Sequence, residues 1–156
     1  MLTLQRSTCT IAGPNPVQSQ RLHTGLSSRP GGVSLVIGIG VDIVDLGEFR
    51  ARLTDELARE LFVETERAYA ATQARPWEAL GARFAAKEAA MKALGHGLEQ
   101  GLRWHDIRVE REPSGRADVV LGGRARRRAD ELGVTRALLS ISHTRGAAVA
   151  VVLLEM

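Results

Sequence analysis

The sequence predicts an α+β fold with a mainly antiparallel sheet packed against helices, on three observations. Two apolar runs, 137–142 and 147–154, close the chain, and His143-Thr144-Arg145-Gly146 is short enough to join them as a hairpin. A second pair of runs, 107–110 and 117–121, flanks the turn signal Pro113-Ser114-Gly115. Helical segments gather between these pairs instead of alternating with single strands, which argues against a parallel sheet.

The elements follow in order. Residues 1–33 carry Pro14, Pro16, Pro30 and Gly31-Gly32 among many Ser and Thr, and read as a disordered extension with too little apolar surface to offset its ordering entropy. Its arginines and lack of acids also fit a transit peptide, or a start codon placed upstream of a true start near Val33. Residues 34–156 form the domain. From Val33 to Val44 the chain is β-branched and apolar, a buried strand. Leu46, Phe49, Leu53 and Leu57 predict a helix over 46–59, and a shorter one covers 64–73. Pro76 sits where helices begin, and Leu80, Phe84, Met91 and Leu94 mark an apolar stripe over 77–94. Gly95 and Gly97 stop that helix, and a last helix runs over 124–132 to Gly133.

Composition narrows the function. The chain has 156 residues, 44% hydrophobic and 25% charged, one globular domain in size and balance. No apolar run is long enough to cross a bilayer. Cys9 is the single cysteine, which excludes an internal disulfide and a cysteine-based zinc site. The net charge of +3 lies wholly in residues 1–33 (Arg6, Arg21, Arg29), so the body is neutral and a basic nucleic-acid-binding core is not indicated.

Three places can carry chemistry. Gly38-Ile39-Gly40 lacks the third glycine of a dinucleotide fingerprint, since position 43 is Ile43, and Asp42 follows as a cap or a metal ligand. In Arg83–Gly95, Glu88 and Lys92 share one helix face, and Arg83 and Lys87 share another. Of 21 basic residues only Lys87 and Lys92 are lysines, which suggests positions where the planar fork of arginine does not serve. His143 lies between two strands, as a loop residue or a phosphate donor. Together Asp42 and Glu88 suit an oxygen-ligated Mg²⁺ that shares a substrate's phosphates, and Lys87, Lys92 and His143 suit a diphosphate. No GxxxxGK[ST] loop occurs.

Gly38-Ile39-Gly40-Val41-Asp42-Ile43-Val44, the Phe-Ala-Ala-Lys-Glu-Ala core of Arg83–Gly95, Trp104-His105-Asp106-Ile107 and Ile141-Ser142-His143-Thr144 resemble holo-[acyl-carrier-protein] synthase, the short single-lobe class of 4′-phosphopantetheinyl transferases. The resemblance covers about 34–155 and implies a 4′-phosphopantetheinyl transferase-like fold. It implies Mg²⁺-dependent transfer of phosphopantetheine from coenzyme A to a serine of apo acyl carrier protein, in fatty acid or polyketide biosynthesis, with release of adenosine 3′,5′-bisphosphate. Carried over by motif, Asp42 and Glu88 would hold the metal and, with Lys92, perform the transfer. Arg83, Lys87, Lys92, Gly95, Gly97, Ser142 and His143 would bind coenzyme A. The resemblance further implies a cytoplasmic homotrimer with sites at subunit boundaries, without nucleic-acid or membrane partners. It leaves open whether Asp42 meets Glu88 of its own chain or of a neighbour.

The sequence departs from the family where arginines commonly dock the carrier. Gly47-Glu48 stand there, and segment 42–66 holds eight acids against three bases. The competing reading is a non-enzymatic binding module that presents Arg124, Arg126, Arg127 and Arg128 to RNA or an acidic protein. Six aromatics leave little for base stacking.

Overall fold

A computed structural model describes residues 34–156, so the reading of residues 1–33, and of Cys9 among them, lies outside the described residues. The chain runs β1 (Val36–Asp45), α1 (Leu46–Arg52), α2 (Asp55–Leu61), α3 (Glu64–Ala71) and α4 (Pro76–Leu94). Short 3₁₀ turns at Leu98–Gln100 and Trp104–Asp106 lead to β2 (Ile107–Arg111) and β3 (Ala117–Leu121), then α5 (Gly123–Glu131), β4 (Arg136–His143) and β5 (Ala147–Glu155).

The expected α+β architecture is present. β1, β5 and β4 form one sheet in that order, and β2 and β3 form a hairpin. Every described pairing is antiparallel. The helix expected over 46–59 is two helices. Leu53 leaves the helical conformation, and the Thr54 side chain accepts from Leu57 N at 3.1 Å, starting α2 afresh. Thr54-Asp55-Glu56 carries the signal of a new N-terminus, which the apolar period across 46–57 overrode.

Helix α4 is the centre of the molecule. Pro76 occupies its first turn, where a missing N–H costs nothing. Gly95 ends it at φ +64°, a left-handed cap that favours glycine. Its packing surface is wider than the expected stripe. Ala82, Ala85, Ala86, Ala89, Ala90 and Ala93 are all buried together with Leu80, Met91 and Leu94. The short side chains let α4 lie almost on the strand backbone. A Cβ at Gly40 would sit 1.9 Å from Ala89 O, and one at Gly38 would sit 2.4 Å from Ala93 O. The glycine pair of β1 therefore serves close approach of a helix.

The register sorts the sheet's two faces. Asp42 lies opposite Ala150 and Val44 opposite Ala148, on the face that α4 covers. Ile39, Val41 and Ile43 lie opposite Leu153, Val151 and Val149 on the other face, and are 67%, 55% and 71% exposed.

Candidate active site

Close packing of α4 on β1 delivers the acids. Asp42 stands two residues beyond Gly40 on the same face of β1, and Glu88 precedes Ala89 on α4. One turn further, Lys92 Nζ donates to Asp42 Oδ1 at 2.7 Å and to Val41 O at 3.2 Å. Glu88 is half-buried. Burial raises its carboxyl above the ordinary range, the Asp42 charge raises it further, and Lys92 pulls it down. Within one chain, Asp42 is thus close enough to Glu88 for its charge to act on the Glu88 carboxyl.

That site suits a divalent cation. Two hard oxygen donors and a raised carboxyl mark a place where added positive charge is favoured. Among the described residues no three His, Cys, Asp or Glu gather as a complete protein cage. Two carboxylates are the number Mg²⁺ takes when water and substrate phosphates complete its shell. A pocket of about 270 Å³ opens beside them, lined by Glu88, Met91, Lys92, Gly95, His96, Gly97 and Leu98. Gly95 is needed there for its backbone conformation, since a Cβ would meet nothing within 4 Å. The Gly97 N–H is held by Gln100 Oε1 at 2.7 Å.

The nucleotide-end candidates lie elsewhere. Arg83 and His143 line a cleft of about 720 Å³ with Tyr69, Arg75, Arg111 and Arg116. The Arg83 guanidinium lies over the Tyr69 ring at 4.2 Å, with Arg111 on the same ring at 5.2 Å. Arg83 donates to Ala79 O at 3.1 Å, while its buried Nε has no partner among the described residues. Burial lowers its hold on the proton, against which Glu66 and Tyr69 act. A bound anion would restore what desolvation takes away.

Three placements differ from expectation. Arg83 and Glu88 are about 140° apart around α4, and His143 lies on β4 while Asp42 lies on β1, at opposite edges of the three-stranded sheet. One chain therefore holds two half-sites, an acidic one and a basic one. Ser142 pairs with Val149 on the exposed face, the opposite face of β4 from His143. Lys87 is a correction. Its side chain is 0% exposed, and its ammonium pairs with Glu66 at 2.9 Å, so it faces neither half-site. Adjacency to Glu88 in sequence suggested a shared role, but successive residues diverge by about 100° on a helix.

Tyr69, Arg111, Arg116 and His96 join the clefts without having been singled out. The three-residue spacing of Glu66 and Tyr69 was legible, but nothing in the sequence placed α3 against α4. Three of the four α5 arginines are engaged within the chain, and Arg127 is exposed. Arg126 pairs with Asp130, Arg128 with Glu131 and Leu94 O, and Arg124 donates to Gly101 O.

The residues on both half-sites fall within a match to a family model described as the 4′-phosphopantetheinyl transferase superfamily, over residues 38–152. The chain belongs to this superfamily. Its enzyme class is that of the holo-[acyl-carrier-protein] synthases. It is 44% identical over 124 residues to the one from Koribacter versatilis, covering 78% of this chain and 99% of that relative. It is 41% identical over 125 residues to the one from Geobacter sulfurreducens, covering 78% and 98%. Among solved structures, the holo-[acyl-carrier-protein] synthase of Neisseria meningitidis superposes with a TM-score of 0.71 at 27% identity, covering 78% of this chain and all of that one. The Bacillus anthracis synthase, solved in complex with CoA (3′,5′-ADP), superposes with a TM-score of 0.65 at 32% identity, covering 79% and 98%.

Proposed function

We propose that this chain transfers 4′-phosphopantetheine from coenzyme A to a serine hydroxyl of apo acyl carrier protein, with Mg²⁺, and releases adenosine 3′,5′-bisphosphate. The observation that carries this reading is the meeting of Glu88 and Lys92 of α4 with Asp42 of β1.

Asp42 and Glu88 would hold Mg²⁺ between them. When bound, the ion supplies positive charge to the diphosphate of coenzyme A and lowers the cost of its departing oxygen. Lys92 is half-exposed and reaches Asp42 through a flexible stem, so its ammonium is free to turn to a phosphate when a cation takes its place on Asp42. The serine oxygen forms the new bond to the phosphorus that carries pantetheine and gives up its proton to water, and the bond from that phosphorus to the bisphosphate breaks with its electron pair left on the bisphosphate oxygen. Arg83, His143 and the neighbouring arginines suit the phosphates of the nucleotide end. Ser142 fits this reading only through assembly, because it faces the sheet's open side.

Assembly is part of the proposal. The split between the β1 and β4 edges is resolved if one chain's acidic half-site meets the basic half-site of the next. Ile39, Val41 and Ile43 form an exposed apolar row on β1 that packing against other copies would bury. A cyclic homotrimer satisfies both. We place the reaction in the cytoplasm, in fatty acid or polyketide biosynthesis. Among the described residues no helix is long and apolar enough to cross a membrane.

The test is direct. Purified protein is mixed with coenzyme A, Mg²⁺ and apo acyl carrier protein, and the carrier is weighed by intact mass spectrometry. The carrier gains one phosphopantetheine, and EDTA abolishes the gain. No gain across carriers of differing surface charge, with no coenzyme A binding, would sink the reading.

A further inference from the structure

Lys87 is next to Glu88 in sequence yet turned into the protein. Its Nζ donates to Glu66 Oε2 at 2.9 Å and to Trp104 O at 3.0 Å. Glu66 also accepts from Val63 N at 3.1 Å and from Val109 N at 2.9 Å, so both of its oxygens are engaged. The side chains are 0% and 1% exposed. One buried ion pair thus joins α3, α4, the Trp104–Asp106 turn and β2. Along the same helices Tyr69, three residues after Glu66, meets Arg83, four residues before Lys87. The two contacts are one turn apart on each helix, so they fix α4 along its axis and about it.

Stability alone does not call for charges here. Apolar side chains of the same volume fill such a space as well or better. What the pair adds is direction, because a hydrogen-bonded ion pair has one geometry whereas apolar surfaces slide. Glu88 lies about 100° around α4 from Lys87. The rotation that Lys87 fixes is therefore the rotation that aims Glu88 at Asp42.

We propose that Glu66 and Lys87 are positioning residues for the transfer site, holding α4 in the rotation that brings Glu88 to Asp42. The inference rests on the transferase reading for its activity readout, and on metal binding independently of it. The experiment compares wild type with Glu66→Met/Lys87→Met, which keeps the volume alone, and with Leu61→Ala, a core truncation on α2 that leaves the ion pair in place. Melting temperature, Mn²⁺ affinity by electron paramagnetic resonance, and kcat and KM for coenzyme A are measured at a fixed interval below each melting point. Leu61→Ala lowers the melting temperature but stays within about threefold of wild type in kcat and Mn²⁺ affinity. The double variant binds Mn²⁺ about tenfold more weakly and loses about 100-fold in kcat with little change in KM. Should the double variant fail to fold, Glu66→Gln/Lys87→Met carries the same comparison, with one side-chain acceptor retained for Val63 N or Val109 N and no buried charge left alone. A folded double variant with wild-type Mn²⁺ affinity and kcat would overturn the proposal, as would equal losses in Leu61→Ala. Wild-type protein that binds Mn²⁺ but transfers nothing would sink the transferase reading and leave the affinity comparison standing.

Discussion

Gly40→Ala tests the packing that assembles the acidic half-site. The new methyl would lie 1.9 Å from Ala89 O and 2.6 Å from Ala93 N, both backbone atoms of a helix that cannot yield locally. Real contacts of this kind stay above 3.0 Å, so α4 must retreat from β1 by about 1 Å at Ala89. That displacement acts one residue from Glu88 and three from Lys92, whose bond to Asp42 is 2.7 Å. Overpacking of this size costs about 1–3 kcal/mol, roughly 4–12 °C in melting temperature for a domain of this length. A 1 Å misplacement of catalytic groups costs about 100-fold in rate.

The two effects separate experimentally. Thermal melting followed by circular dichroism gives the first, and kcat with the Mg²⁺ concentration at half-saturation, taken well below the melting point, gives the second. Gly146→Ala serves as the control, because a Cβ there meets nothing within 4 Å and no positive φ is required. It is expected within about 0.5 kcal/mol of wild type. A Gly40→Ala protein with wild-type melting and wild-type kcat would refute the argument that glycine is there to admit α4.

Asp42→Ala and Glu88→Gln are each expected to lower Mg²⁺-dependent transfer by roughly 1,000-fold with melting within a few degrees of wild type; substantial activity in either would remove it from the metal site. The raised Glu88 carboxyl favours its neutral form in the folded chain, so this stabilising contribution is full below the ordinary value of 4.5 and is lost as pH rises through the raised value. In chelator, the wild-type-minus-Glu88→Gln difference in melting temperature therefore falls as pH rises from about 4 to about 7, and a flat difference would contradict the shared electrostatic site. His143→Ala is expected to raise the KM for coenzyme A about tenfold with a smaller change in kcat; the reverse split would move it from the nucleotide end to the reacting centre. Co-expressed Asp42→Ala and His143→Ala chains are expected to recover transfer beyond either alone, with about a quarter of the boundaries intact, and no recovery in a mixed oligomer would refute the assignment of the half-sites to different chains.

Local signals were the readable ones. Strands β2 to β5 followed from alternation and turn chemistry, and the ends of α4 from Pro76 and Gly95. The break at Thr54 was misread because Leu53 and Leu57 keep a helical period across two helices that bury the same side. The role of Gly38 and Gly40 was hidden, since close approach by a helix is a tertiary fact. A glycine pair reads alike whether it admits a phosphate or an alanine-rich helix. The acids Asp42 and Glu88 were found from the motifs, but their membership of one site depends on that same approach.

The two lysines show what residue choice alone does not resolve. Both stand out in a chain that otherwise uses arginine, and both sit within five residues of α4. A compact ammonium on a flexible stem suits a diphosphate, and Lys92 is half-exposed and on the acids' side, as that argument requires. It suits a narrow buried site just as well, where one carboxylate and one carbonyl are the available partners and a planar fork with five donors would leave several unpaired. Lys87 meets that second condition against Glu66 and Trp104 O. Two identical deviations from the compositional trend thus have two physical causes, separated by helix phase. Five residues turn α4 by about 140° past a full turn, which carries one lysine into the core and the other to the edge where β1 presents Asp42.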